Sequence, residues 1–250
     1  MAKPSTRPAA IPAEALHFRQ VSKAYGRQPV LDDLELVVGQ GECLALVGVN
    51  GAGKTTAIKT LLDFSRPDRG TVVIRGESNR APRARRHLAY LPERFTPPHY
   101  LSGRDFLRNM CRLHGVAFDP GRVLALFEAL ALEETALDKP VRTFSKGMAQ
   151  KLGLAMCFLS ERPLLVLDEP MSGLDPQARA LVKRRLQALR QEGRTLFFST
   201  HLLADVEALC DRMAILHRGR LQVIGTPTAC RERYQAPDLE AAFLACIAAG

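Results

Sequence analysis

Nine residues, Gly48-Val49-Asn50-Gly51-Ala52-Gly53-Lys54-Thr55-Thr56, entered from the apolar run Cys43-Leu44-Ala45-Leu46-Val47, constrain this chain more than any other segment. The run reads as a buried strand, and the loop as a phosphate-binding turn that opens a helix. Glycines at 48, 51 and 53 let the backbone curl so that successive N–H groups point inward at phosphate oxygens, and the positive end of the helix dipole favours the same anion. Lys54 is then set to reach the β- and γ-phosphates of a nucleotide. The Thr55 hydroxyl is set to face Mg2+, which takes oxygen ligands and keeps nucleotide phosphates among them. A Gly-rich turn without a ligand is the plain alternative, and the strand before and helix after argue against it. The candidate contacts in this loop are Gly48, Asn50, Gly51, Ala52, Gly53, Lys54, Thr55 and Thr56.

Such a loop needs a sheet around it, and 250 residues suffice for one α/β domain or a domain with an inserted subdomain. Residues 15–21 and 29–38 alternate apolar and polar, as antiparallel strands with one wet face. The helix opened by the loop is expected to run to about 64, Thr71-Val72-Val73-Ile74 is another strand, and Leu88-Ala89-Tyr90-Leu91 leads to a break at Pro92. From about 96 to 144 helical periodicity with no convincing strand replaces the β pattern, which suggests an insert. The expected organisation is an N-terminal extension at 1–14, a nucleotide-binding core at 15–95 and 145–225, a helical insert at 96–144, and a helical tail at 226–250.

Within the core, Pro163-Leu164-Leu165-Val166-Leu167 has the continuous apolar pattern of a central parallel strand and ends in Asp168-Glu169-Pro170. A helix over 176–192 follows, with Asp175 as its cap, proline in its first turn and Gly193 as its stop. Next comes a second buried strand, Thr195-Leu196-Phe197-Phe198-Ser199, ending at Thr200-His201. Two carboxylates and an imidazole therefore fall at the carboxyl ends of neighbouring strands, where open α/β sheets place their ligands. Asp168 can hold the hydration shell of Mg2+, Glu169 can orient or deprotonate an attacking water, and His201 can hydrogen-bond the γ-phosphate. Taken singly, each has a bland reading as a solvated turn or a satisfied surface imidazole. Downstream of a phosphate loop they point together to phosphate chemistry.

The net charge of +9 fits nucleic acid, an anionic membrane surface, or only a solvated basic face. Its densest cluster, Arg80, Arg83, Arg85 and Arg86, has no interleaved aromatics and the chain has no Trp to stack on bases, so no nucleic-acid partner is expected. The six cysteines form no C-x-x-C pair, which leaves reduced, mostly buried thiols. The first 14 residues lack the apolar centre of a signal peptide, and no run of about 18 apolar residues occurs. The expectation is a cytosolic chain that does not itself cross a membrane.

These motifs, in this order, resemble the ATP-binding subunit of an ABC transporter over about 16–225. Tyr25 matches the family aromatic that stacks on adenine. Tyr90-Leu91-Pro92-Glu93 falls where the family has its Gln-bearing loop facing the membrane partner, and Phe144-Ser145-Lys146-Gly147-Met148 looks like the family signature before a helix. Ser172-Gly173-Leu174-Asp175 is similar to the loop linking two active sites, and His201 to the switch histidine. The resemblance implies an α/β fold: a P-loop NTPase core with a mixed central sheet, an N-terminal antiparallel β-subdomain and an inserted helical subdomain. It implies ATP hydrolysis with Glu169, His201 and Lys54 as catalytic residues, and Tyr25, Glu93, Ser145, Gly147 and Asp175 beside the loop as ATP contacts. Thr55, Asp168 and Glu93 are the candidate Mg2+ ligands.

In the family, the signature helix N-terminus of one subunit closes over the ATP of the other, a pairing that makes a homodimer the default. The implied partner is a separate transmembrane permease, which would hold the chain at the cytoplasmic face of the inner membrane. Two departures, Phe-Ser-Lys-Gly-Met for Leu-Ser-Gly-Gly-Gln and Glu93 for glutamine, resemble the branch that drives type-two exporters, as does Leu239-Glu240-Ala241-Ala242-Phe243-Leu244. A negative Glu93 near Asp168 and Glu169 would raise carboxylate pKa values. A soluble ABC ATPase acting on ribosomes or DNA is the main alternative, although this chain has neither a second cassette nor a long coiled-coil insertion. A phosphate-loop kinase is a further one that leaves the signature unexplained.

Overall fold

Apolar residues alternate through β1 (Glu14–Tyr25) and β2 (Gln28–Gly39), which pair antiparallel around the Gly26 turn. Both strands run beyond the stretches their alternation marks. The computed structural model describes residues 13–249, so most of the N-terminal extension lies outside the described residues. Next, β3 (Cys43–Val47) is buried along its whole length and delivers the phosphate loop to α1 (Lys54–Leu61). That helix stops short of position 64 because Asp63 turns left-handed (φ 62°), with Asp63 N–H donating to Thr60 O and Phe64 N–H to Lys59 O in a Schellman closure. Then come β4 (Arg69–Ile74) on the free side of β1, the two-residue β5 (Glu77–Ser78) beside it, and β6 (Leu88–Leu91).

Helical structure begins at 103, past Pro97 and Pro98, with α2 (Gly103–His114) capped by Ser102 and α3 (Pro120–Ala129) capped by Asp119. Two short 3-10 turns and a single bridge between Ser102 and Pro140 complete this stretch. The remaining elements are α4 (Lys146–Leu159), β7 (Leu164–Asp168), α5 (Pro176–Gln191), β8 (Thr195–Thr200), α6 (Leu203–Leu209), β9 (Arg212–His217), β10 (Arg220–Gly225), α7 (Pro227–Arg233) and α8 (Leu239–Ala249).

The six-stranded sheet runs β10-β9-β3-β8-β7-β6, parallel except for β10, and the smaller antiparallel sheet runs β2-β1-β4-β5. Its apolar runs serve two cores by simple alternation. Leu44, Leu46, Val166 and Phe197 face the small sheet and α1, whereas Ala45, Val47, Leu165 and Phe198 face the other helices. Each such Leu or Phe, fully withdrawn from water, contributes about 1.5–3 kcal/mol. Burial on both faces explains why these strands read as continuous apolar runs. Parallel pairing of β3 and β7 with β8 brings the carboxyl ends of the three strands together along one edge of the six-stranded sheet.

Candidate functional site

The loop after β3 is shaped by close approach. A Cβ at Gly48 would stand 2.5 Å from Leu216 O, and one at Gly53, where φ is 112°, would stand 2.6 Å from Val30 O. The first amides of α1 meet no capping side chain and no acidic residue in the first turn, whereas α2, α3, α4, α5 and α7 are each capped by a side-chain oxygen. An uncapped, glycine-led helix start of this kind suits a phosphate. Lys54 is only 7% exposed; its ammonium donates to Gly48 O at 2.6 Å and stands 3.4 Å from Glu169 Oε1.

Around this loop lies a cleft of about 570 Å³ whose walls bring together Tyr25, Asn50, Gly51, Gly53, Lys54, Thr55, Thr56, Glu93, Glu169 and His201. Gly48, Ala52 and Asp168 are buried beside it and do not line it. Tyr25 has a half-exposed ring, 5.5 Å from the Lys23 ammonium, with its hydroxyl 3.3 Å from Ser65 Oγ. Val30, Val49 and Ser172 also line the cleft, and the sequence did not single them out for it.

Strand register sets the carboxylates. Asp168 pairs with Ser199 across β7 and β8, and the Ser199 hydroxyl donates to Asp168 Oδ1 while accepting the Glu169 N–H at 3.0 Å. Burial holds the Asp168 carboxyl above its usual range; hydrogen bonds from Ser199 and Thr55 pull it down, and the Glu93 and Glu169 charges push it up again. The half-buried Tyr90 phenol is pushed up to about 12 by burial, then by Asp168 and Glu93. The Glu169 backbone is left-handed (φ 47°), uncommon for a residue other than glycine, and its carboxylate sits between Lys54 and His201 Nδ1, the latter 2.9 Å from Oε2. Among the described residues no three His, Cys, Asp or Glu side chains form a metal cage. The Thr55–Asp168 pair matches instead an ion that brings phosphate oxygens as ligands.

Ser145, Gly147 and Asp175 do not line this cleft. Ser145 caps α4 by accepting the Met148 N–H at 3.2 Å, and Asp175 caps α5 by accepting the Ala178 N–H at 2.8 Å, a bond that holds its carboxyl below the usual range. The buried Gln150 amide ties α4 to Pro170 O at 3.1 Å, so the second helix start is braced against the segment that carries Glu169. No helix among the described residues is long and apolar enough to cross a membrane.

Comparison with known proteins agrees with this geometry. The family model described as "ABC transporter" matches residues 31–172. "Nod factor export ATP-binding protein I" of Burkholderia orbicola is 39% identical over 221 residues, covering 87% of this chain and 72% of that protein. The protein of the same name from Sinorhizobium fredii is 36% identical, covering 86% and 64%. A solved "ATP binding subunit of ABC transporter" superposes with a TM-score of 0.85 at 33% identity, covering 93% of this chain and 99% of that one. A dimeric ATP-binding cassette in a post-hydrolysis state with ADP and Pi has a TM-score of 0.76 at 19% identity over 84% of this chain and 98% of that one, and shares the fold.

Proposed function

This chain belongs to the ABC transporter family, as an ATP-binding subunit with ATPase chemistry, and on that premise we propose how its residues divide the work between two copies. One copy holds ATP in its cleft, with Tyr25 against the base, the amides from Gly48 to Thr56 around the phosphates, and Lys54 on the β- and γ-oxygens. Ser145 and Gly147 of the second copy close the same site from the other side, and Asp175 ends the loop between the two sites. Glu169 orients and deprotonates the attacking water, and His201 keeps the carboxylate in place and senses the γ-phosphate. Mg2+, when bound, neutralises charge on the phosphate oxygens. Thr55 and Asp168 would hold it, with Glu93 at the edge of the same cluster.

The work is passed to a separate transmembrane permease that docks on the helical segment at 96–144, with Glu93 at its base, and the pair exports cargo from the cytoplasmic face of the membrane. The names of the relatives, which speak of export, support this reading. One observation carries the reading. Glu169 stands between Lys54 and His201 in a cleft that the chain's own Ser145 does not line. Glu169→Gln keeps size and removes the base, so turnover falls about a hundredfold or more while ATP binding survives. The variant accumulates as an ATP-bound dimer in chromatography with light scattering, and adding Ser145→Arg abolishes that dimer. A monomer with ATP, both alone and with the permease, overturns the composite site.

A further inference from the structure

Two residues after His201, helix α6 begins, and in its first turn Asp205 carries a carboxylate with no exposed surface. A buried carboxylate left without partners is strongly destabilising, so its neighbours are informative. Both come from α5: Arg179 Nη2 donates to the two oxygens at 3.0 and 2.8 Å, and Lys183 Nζ stands 3.1 Å from Oδ1. Arg179 is itself one turn past the Asp175 cap, its N–H donating to Asp175 O at 3.0 Å. The clamp therefore stands four residues along the chain from His201, across the extended Leu202 that leads into α6, and one helical turn from the loop at 172–175.

Further along the same face of α5, the Gln187 amide donates to Ala208 O at 3.0 Å and Arg190 to Leu209 O at 3.3 Å. These bonds secure the far end of α6 without the clamp. Loss of the near tie thus frees the end that carries His201 and leaves the two helices joined.

We propose that Asp205 is a positioning residue for His201: the clamp that the partly exposed Arg179 and Lys183 close on the buried Asp205 carboxylate fixes the start of α6 against α5 and so holds the imidazole 2.9 Å from Glu169. The proposal rests on the role given to His201 above. A clamp that only stabilised the fold would shift melting and leave the turnover of folded chains alone.

Asp205→Asn keeps the volume and removes the charge. The expected result is a kcat about tenfold lower with KM for ATP within about twofold, since the defect lies in the orientation of a group and not in nucleotide contact. In a His201→Ala background the same substitution lowers kcat no further, because residues acting through one another are non-additive. Arg179→Gln, which leaves Lys183 as the counter-charge, gives the same pattern and decides the matter if Asp205→Asn does not fold. An equal loss in both backgrounds, or an unchanged kcat in folded Asp205→Asn, overturns the proposal. A His201→Ala chain with normal kcat instead removes the role of His201, and the proposal with it.

Discussion

Lys54 is a buried cation whose ammonium is held by two backbone carbonyls and the Glu169 carboxylate, acceptors that a phosphate oxygen at the cleft would join or replace. Lys54→Ala removes a charge-assisted contact in a desolvated place, so ATP affinity falls by roughly two orders of magnitude or more. Equilibrium titration with labelled ATP checks this, and near-normal affinity contradicts it. Ser199→Ala strips Asp168 of a donor and the Glu169 N–H of its acceptor, both buried. We expect a loss of about 1–3 kcal/mol in denaturant unfolding, together with a lower kcat, because one hydroxyl orients the Asp168 carboxylate and anchors the backbone of Glu169. Lys54, Asp168, Glu169 and His201 were legible because each ends a local pattern of apolar strand and turn. Ser199 was not. It lies 31 positions from Asp168, and only the register of β7 against β8 makes them neighbours.

Strands buried on both faces announced themselves as unbroken apolar runs, and helix starts by their Ser, Asp and Pro. Two element-level features stayed hidden. The end of α1 uses Asp63 in a left-handed turn where glycine would have been the visible sign. The charged face of α5, with Arg179, Lys183, Gln187 and Arg190, has the composition of a solvated side, yet it grips α6. Helix α4 carries the element-scale prediction. By helix propensity Gly153→Ala should gain about 1 kcal/mol. However, a Cβ there would stand 2.5 Å from Leu91 Cδ1 and 2.9 Å from Phe95 Cδ1, in a packed core. Overpacking of about 1–3 kcal/mol wins, so the variant unfolds at lower denaturant. Displacement of Phe95, two residues from Glu93, lowers turnover more than ATP affinity. A more stable, fully active variant would show that Leu91 and Phe95 give way freely.

For the whole molecule, the proposed division of the site between copies makes a prediction that no single chain can. Lys54→Ala spoils a chain's own cleft and Ser145→Arg spoils the edge it lends, so each variant alone is inactive. In a mixed dimer both defects fall on one site and the other is intact. An equal mixture therefore recovers about a quarter of wild-type turnover per chain under random pairing with independent sites. No recovery, with mixed dimers present, contradicts the shared site. Composition and periodicity carry no sign of this division, since Ser145 and Lys54 lie in one sequence and the fold keeps the first out of the cleft that holds the second. The same separation sets how the activity scales. If the site is shared as proposed, a solitary chain can load nucleotide and yet stay idle, so the rate per chain should climb with concentration until encounters saturate, and dilution alone should turn it off.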